Sequence, residues 1–194
     1  MKEIKWVLGS GSPRRKELLA GIGVSFEIRT KDTPEIFPES LPPQKVPAFL
    51  AELKAQALIG ELKQNEIVIC ADTVVILDQK IIGKPSDRAD AIAMLTKLSG
   101  RTHEVVTGVF IGNATHQMIQ SDSTLVTFLE LTNDQIIHYI DQYQPFDKAG
   151  SYGVQEWLGY VTVEKIVGSY TNVMGLPTHK VYQMIEKMKA KFVE

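Results

Sequence analysis

The sequence predicts an α/β fold built on a mixed sheet, and three observations carry that prediction. Trp6-Val7-Leu8 reads as a short buried strand that runs into a small-residue loop and a helix start at Pro13. Ile67 to Leu77 is a continuous β-rich run, the mark of a strand buried on both faces. Strands and helices alternate unevenly, with hairpins in the middle, which separates the chain from a regular doubly wound sheet.

Each element has a local reason. Ser12 suits an N-cap and Pro13 the first helical position of a helix that Gly21 or Gly23 stops, with Leu18, Leu19 and Ile22 facing inward. Prolines at 34, 38, 42, 43 and 47 make residues 29–47 a loop or hinge. From Ala48 to about Leu62, Phe49, Leu50, Leu53, Ala57 and Leu58 recur at helical spacing, with Lys54 standing inside that stripe. After the long strand, Asp78-Gln79-Lys80 turns the chain back through Ile81-Ile82. Ser86 is expected to cap a helix through about Leu98, closed by Gly100. Strands near 103–112 and 117–130 flank Asn113-Ala114-Thr115, and a helix from Asn133 ends before Pro145. A Gly-rich, charged loop at 146–156 leads to a strand near 160–166, and a last helix runs from Thr178 to the C-terminus.

Composition removes several classes. With 194 residues there is room for one large domain or two small lobes. A formal net charge of −2 argues against a general nucleic-acid binder, yet a few local cations suffice for one small anion. One cysteine, Cys70, rules out an intrachain disulfide and fits a reducing compartment. The apolar runs are too short to span a bilayer, and the N-terminal residues lack an apolar stretch followed by a cleavage site. A soluble cytoplasmic protein with no membrane partner is expected. His103, His116, His138 and His179 show no zinc spacing, and there is no G-x-S-x-G elbow.

The residues that fit chemistry fall in six places. Ser10-Gly11-Ser12-Pro13-Arg14-Arg15 joins free N–H groups at a helix start to two arginine forks. Cations there oppose the helix dipole, which an anionic ligand would explain; a capped surface helix with solvated arginines also fits. The loop matches neither the P-loop nor the full dinucleotide fingerprint. Asp72 lies in the most apolar strand, where a carboxylate is paired, ligates metal or acts as a base. Lys54 sits on an apolar helix face, and Lys84 in the rigid turn Gly83-Lys84-Pro85. Glu35, on a proline-stiffened loop, would complete an oxygen site for Mg²⁺ or Mn²⁺ with Asp72. Asp147 to Gln155 crowds polar groups and glycines into a loop able to wrap a ligand, with Gln155 suited to a base edge.

Taken in order, Ser10-Gly11-Ser12-Pro13-Arg14-Arg15, Glu52-Leu53-Lys54-Ala55, Ala71-Asp72-Thr73-Val74-Val75, Gly83-Lys84-Pro85, Leu98-Ser99-Gly100-Arg101-Thr102-His103, Asp147-Lys148-Ala149-Gly150-Ser151-Tyr152-Gly153 and Gly175-Leu176-Pro177 resemble the Maf family of nucleotide pyrophosphatases. The resemblance spans nearly the whole chain. It implies an elongated mixed sheet flanked by helices, in a single 1–194 domain of two lobes with a cleft, and a homodimer. It implies cleavage of a nucleoside triphosphate to monophosphate and pyrophosphate with Mg²⁺, Mn²⁺ or Co²⁺. On that basis Asp72 is the proton acceptor, Glu35 and Asp72 attend the metal, and Ser12, Arg14, Arg15, Lys54 and Lys84 line the triphosphate. Arg14, Thr73 and Gln155 stand where the branch acting on dTTP and UTP has Arg, Thr and Gln. Glu156 departs from the family's usual glycine, and Leu53 from a usual polar residue. The rival expectations are a purine pyrophosphatase of the ITP/XTP type and a non-catalytic nucleotide- or nucleic-acid-binding inhibitor of septum formation.

Overall fold

A computed structural model describes residues 4–191. The first three residues, and the final 192–194 of the expected last helix, lie outside the described residues.

Seven strands form one mixed sheet in the order β2-β1-β3-β5-β6-β7, with β4 paired to β3. The strands are β1 (Lys5–Leu8), β2 (Phe26–Ile28), β3 (Glu66–Leu77), β4 (Lys80–Ile82), β5 (Thr102–Gly112), β6 (Gln117–Phe128) and β7 (Val163–Val167). The helices are α1 (Pro13–Gly21), α2 (Val46–Ile59), α3 (Arg88–Leu98), α4 (Asn133–Tyr143), α5 (Trp157–Thr162), α6 (Tyr170–Val173) and α7 (Thr178–Lys191). β1 runs parallel to both β2 and β3, whereas β3–β4 and β6–β7 are antiparallel. None of the described helices is long and apolar enough to cross a membrane.

The chain divides into two compact units. The first comprises Met1–Asp72, Thr107–Asp122 and Gly175–Glu194; the second comprises Thr73–Val106 and Ser123–Met174. β3 passes from one to the other immediately after Asp72.

In the first unit the strands bury both faces, which is why Ile67–Leu77 shows no polar alternation. Trp6, Leu8, Ile67, Ile69 and Ala71 point to one side and pack with Leu19 of α1 and Val181, Met184, Ile185 and Met188 of α7. Val7, Val68 and Cys70 point to the other and pack with Ala51, Ala55 and Leu58 of α2. The two-residue period of a strand thus sorts one run into two cores. The second unit has one core, in which Leu95 and Leu98 of α3 meet Ile136, Tyr139 and Ile140 of α4 under Val105, Val126 and Phe128.

Several local expectations change, among them the start of α2, which lies at Val46 inside the stretch expected as a loop. β2 has no counterpart in the sequence reading, because its three residues are too few to show a period. α3 starts one residue later than expected. Asp87 rather than Ser86 caps it, accepting from the Asp90 N–H at 2.8 Å, while the Ser86 N–H is taken by the Asp90 carboxylate. Ser12 is the N-cap residue of α1 but makes no side-chain cap bond. The expected strand at 160–166 begins as the six-residue helix α5 and becomes extended only at Val163. Here the β-branched and aromatic residues misled, and Leu158 and Thr162 are buried from a helix rather than a strand.

Candidate active site

The site in the first unit begins with how β1 ends. The Gly9 N–H donates to the Ile69 carbonyl at 2.8 Å. A Cβ at Gly9 would overlap the Cys70 sulfur and come within 2.9 Å of Leu58 Cδ1. Only glycine lets this loop lie down on β3. Burial pushes the Cys70 thiol up to about 12, so it packs rather than reacts.

The loop then fastens an arginine. Ser10, nearly buried, accepts the Ser12 N–H and Arg15 Nη1 at its hydroxyl, each at 3.3 Å. Arg15 Nε donates to the Gly175 carbonyl at 2.9 Å. Burial pulls Arg15 below the ordinary arginine value; Asp72 opposes that shift, Arg14 adds to it and Glu35 opposes it more weakly. Three of the expected residues therefore act on the charge of a fourth, Arg15.

Lys54 links the carboxylates. Its ammonium donates to Glu35 Oε1 at 2.7 Å and also to Asp72 Oδ1. The helix presents it beside, not within, the buried stripe of Leu50, Ala51, Ala55 and Leu58. Burial works against its charge, but Asp72 and Glu35 outweigh it and hold the Lys54 pKa above the ordinary value. The Asp72 side chain is 10 % exposed and that of Glu35 46 %. The pair therefore joins a buried carboxylate to one that water reaches.

Arg14 is half-buried and Ser12 partly exposed at the start of α1. The remaining expected residues belong to the second unit. Thr73 follows Asp72 along β3 and is half-buried. Lys84 is exposed in the turn after β4, and the neighbouring Gly83 carbonyl accepts the Gly150 N–H at 2.9 Å. That bond ties the lysine turn to the late loop. Gln155 is half-buried in this loop, and its Oε1 is buried with no hydrogen-bond partner among the described residues.

Glu35 and Asp72 offer oxygen donors converging on one cation, the kind of donor set a hard divalent ion takes. Among the described residues no group of three or more His, Cys, Asp or Glu side chains is placed to hold a metal. Two carboxylates leave room for phosphate and water oxygens, the usual arrangement for Mg²⁺.

Two contributors escaped the sequence reading. The Ser10 hydroxyl was visible in the motif but without a role. The Gly175 carbonyl reaches Arg15 across 160 positions of sequence. No local pattern signals such a contact.

Comparison with known proteins matches the sequence to a family. The model of the Maf-like protein family covers residues 5–188. A dTTP/UTP pyrophosphatase of Porphyromonas gingivalis ATCC 33277 is 49 % identical over 189 residues, 96 % of this chain and 95 % of that one. One of Flavobacterium johnsoniae is 48 % identical over 185 residues, 95 % of each chain. One of Flavobacterium psychrophilum is 50 % identical over 178 residues, 92 % of this chain and 91 % of that one. A solved dITP/XTP pyrophosphatase of Mycobacterium abscessus, 17 % identical, overlaps with a TM-score of 0.40 over 64 % of this chain and 73 % of that one, too loosely to bear on fold or activity. By its near full-length match, this chain belongs to the Maf-like protein family.

Proposed function

We propose that this protein hydrolyses dTTP and UTP to the nucleoside monophosphate and pyrophosphate. The observation that carries the reading is the contact of Lys54 with both Glu35 and Asp72, in a unit where Arg14 and Arg15 open a helix. A pure anion binder gains nothing from a carboxylate there, whereas a hydrolase needs one. The names of the full-length relatives support the substrate class.

In the proposed reaction the triphosphate is neutralised by Arg14, Arg15 and Lys54, with Ser12 and the N–H groups at the start of α1 as further donors. The Ser10 and Gly175 bonds hold the Arg15 guanidinium in place before substrate arrives. Asp72 takes a proton from the water that attacks the α-phosphorus, and pyrophosphate leaves. A Mg²⁺, Mn²⁺ or Co²⁺ ion, held by Glu35 and Asp72, would supply positive charge to the phosphate oxygens. Arg14, Thr73 and Gln155 are assigned to base selection. The reading includes a cytoplasmic homodimer.

The test is a nucleotide panel with Mg²⁺ or Mn²⁺, scored for pyrophosphate. Pyrophosphate from dTTP and UTP is expected. Preference for ITP or XTP, or binding without turnover, would replace this reading with one of its rivals.

A further inference from the structure

The late loop contains a second charged cluster that the proposed reaction does not use. Lys148 is buried, and its ammonium lies 2.7 Å from Asp147 Oδ1 and 3.2 Å from Glu156 Oε1. The other Glu156 oxygen accepts the hydroxyl of Tyr139, a fully buried residue of α4. That hydroxyl accepts the Gly153 N–H at 3.0 Å. Gly153 leaves space for this arrangement, since a Cβ there would lie 2.7 Å from the Glu156 carboxyl carbon.

The chain held by these bonds is not in a relaxed conformation. Gly150 and Ser151 are consecutive residues with φ of 70° and 59°, and Ser151 is fully buried. A non-glycine residue in the left-handed region is kept there only by its surroundings. The same stretch carries Gln155, next to Glu156, and is tied through Gly150 to the Lys84 turn. A buried amide oxygen without a partner favours a ligand that brings an N–H donor. The imide N–H of thymine and uracil is such a donor, and cytosine lacks it.

We propose that Glu156 is a specificity-positioning residue: clasped by Lys148 and Tyr139, it fixes the loop so that the Gln155 amide oxygen receives the imide N–H of the base. This rests on the proposed cleavage of dTTP and UTP. Glu156 touches no reacting atom in this scheme. Its loss therefore loosens base selection and leaves the chemical step alone.

The experiment measures kcat and KM for dTTP and dCTP, with melting temperatures, in wild type, Glu156→Ala, Glu156→Gln and Gly153→Ala. Glu156→Ala is expected to raise KM for dTTP about 10-fold, keep kcat within about 2-fold, and lower the dTTP/dCTP ratio of kcat/KM about 10-fold. Glu156→Gln, which can still accept from Tyr139, is expected to recover part of that ratio. Gly153→Ala displaces the carboxylate without removing it and is expected to reproduce the alanine phenotype. It decides the matter if Glu156→Ala does not fold. Active variants with an unchanged dTTP/dCTP ratio, whatever their melting temperatures, would overturn the role of Glu156 alone. A wild-type protein inert toward both dTTP and UTP would overturn the functional reading, and this inference with it.

Discussion

Lys54 and Lys148 are each held between two carboxylates, one in each unit of the chain. Lys54 reaches from α2 to Glu35 and Asp72, which come from other segments and leave the group partly open to water. Lys148 reaches Asp147 and Glu156, which belong to its own loop, and Tyr139 closes the cluster from α4. The ammonium side chains are 19 % and 10 % exposed. The chemistry of the groups is the same, but what surrounds them differs. An arrangement assembled from distant segments beside an arginine-bearing helix start suits a reaction, whereas one closed on itself suits a clasp.

Substitutions that treat the clusters alike should separate them. The largest effect is expected from Asp72→Asn, which removes the proton acceptor while keeping the shape. Pyrophosphate release should fall at least about 10³-fold with little change in melting temperature. Substantial turnover in that variant would make the first cluster structural as well. Lys54→Met should lower kcat/KM about 10²-fold, read by steady-state kinetics, because it removes a cation from both carboxylates and phosphate. Lys148→Met should do the reverse. It takes the ammonium from the half-buried Glu156 carboxylate, which keeps the Tyr139 hydroxyl, at a cost of about 2 kcal/mol, a drop of roughly 4–8 °C in melting temperature, and kcat should change little. Equal losses of kcat in the two lysine variants would erase the distinction.

The smallest expected effect is a control. Glu66 is buried and is held down to about 2 by hydrogen bonds from the Arg29 side chain and then the Lys63 N–H. A depressed carboxylate stabilises the fold above its unfolded value near 4.5, and that stability is lost as pH falls from about 4.5 toward 2. Denaturant midpoints at pH 6 and pH 3 should differ less in Glu66→Gln than in wild type. An unchanged difference would mean that Glu66 has no such role.

What was legible in the sequence follows the range of the interactions. β3 could be read because its β-rich run is continuous and mostly apolar, and α2 because its period is long enough to count. Asp72 and Lys54 stood out as charges in apolar company, and the fold explains both by pairing them. The Gly175 carbonyl could not be read, since its role arises only when the chain returns to α1. The Lys148 clasp was hidden for a different reason. Asp147 and Lys148 sit in the motif read as ligand-wrapping, and nothing local tells an inward lysine from an outward one. Glu156 registered only as a departure from the family's glycine, although its carboxylate holds that loop together.

The most direct test is pyrophosphate release from a panel of nucleoside triphosphates by wild type and Asp72→Asn side by side, with Mg²⁺ or Mn²⁺ present. The account predicts monophosphate and pyrophosphate in equal amounts from dTTP and UTP with wild type, and almost none with the variant. Orthophosphate as the product, a purine preference, or full activity in Asp72→Asn would contradict it.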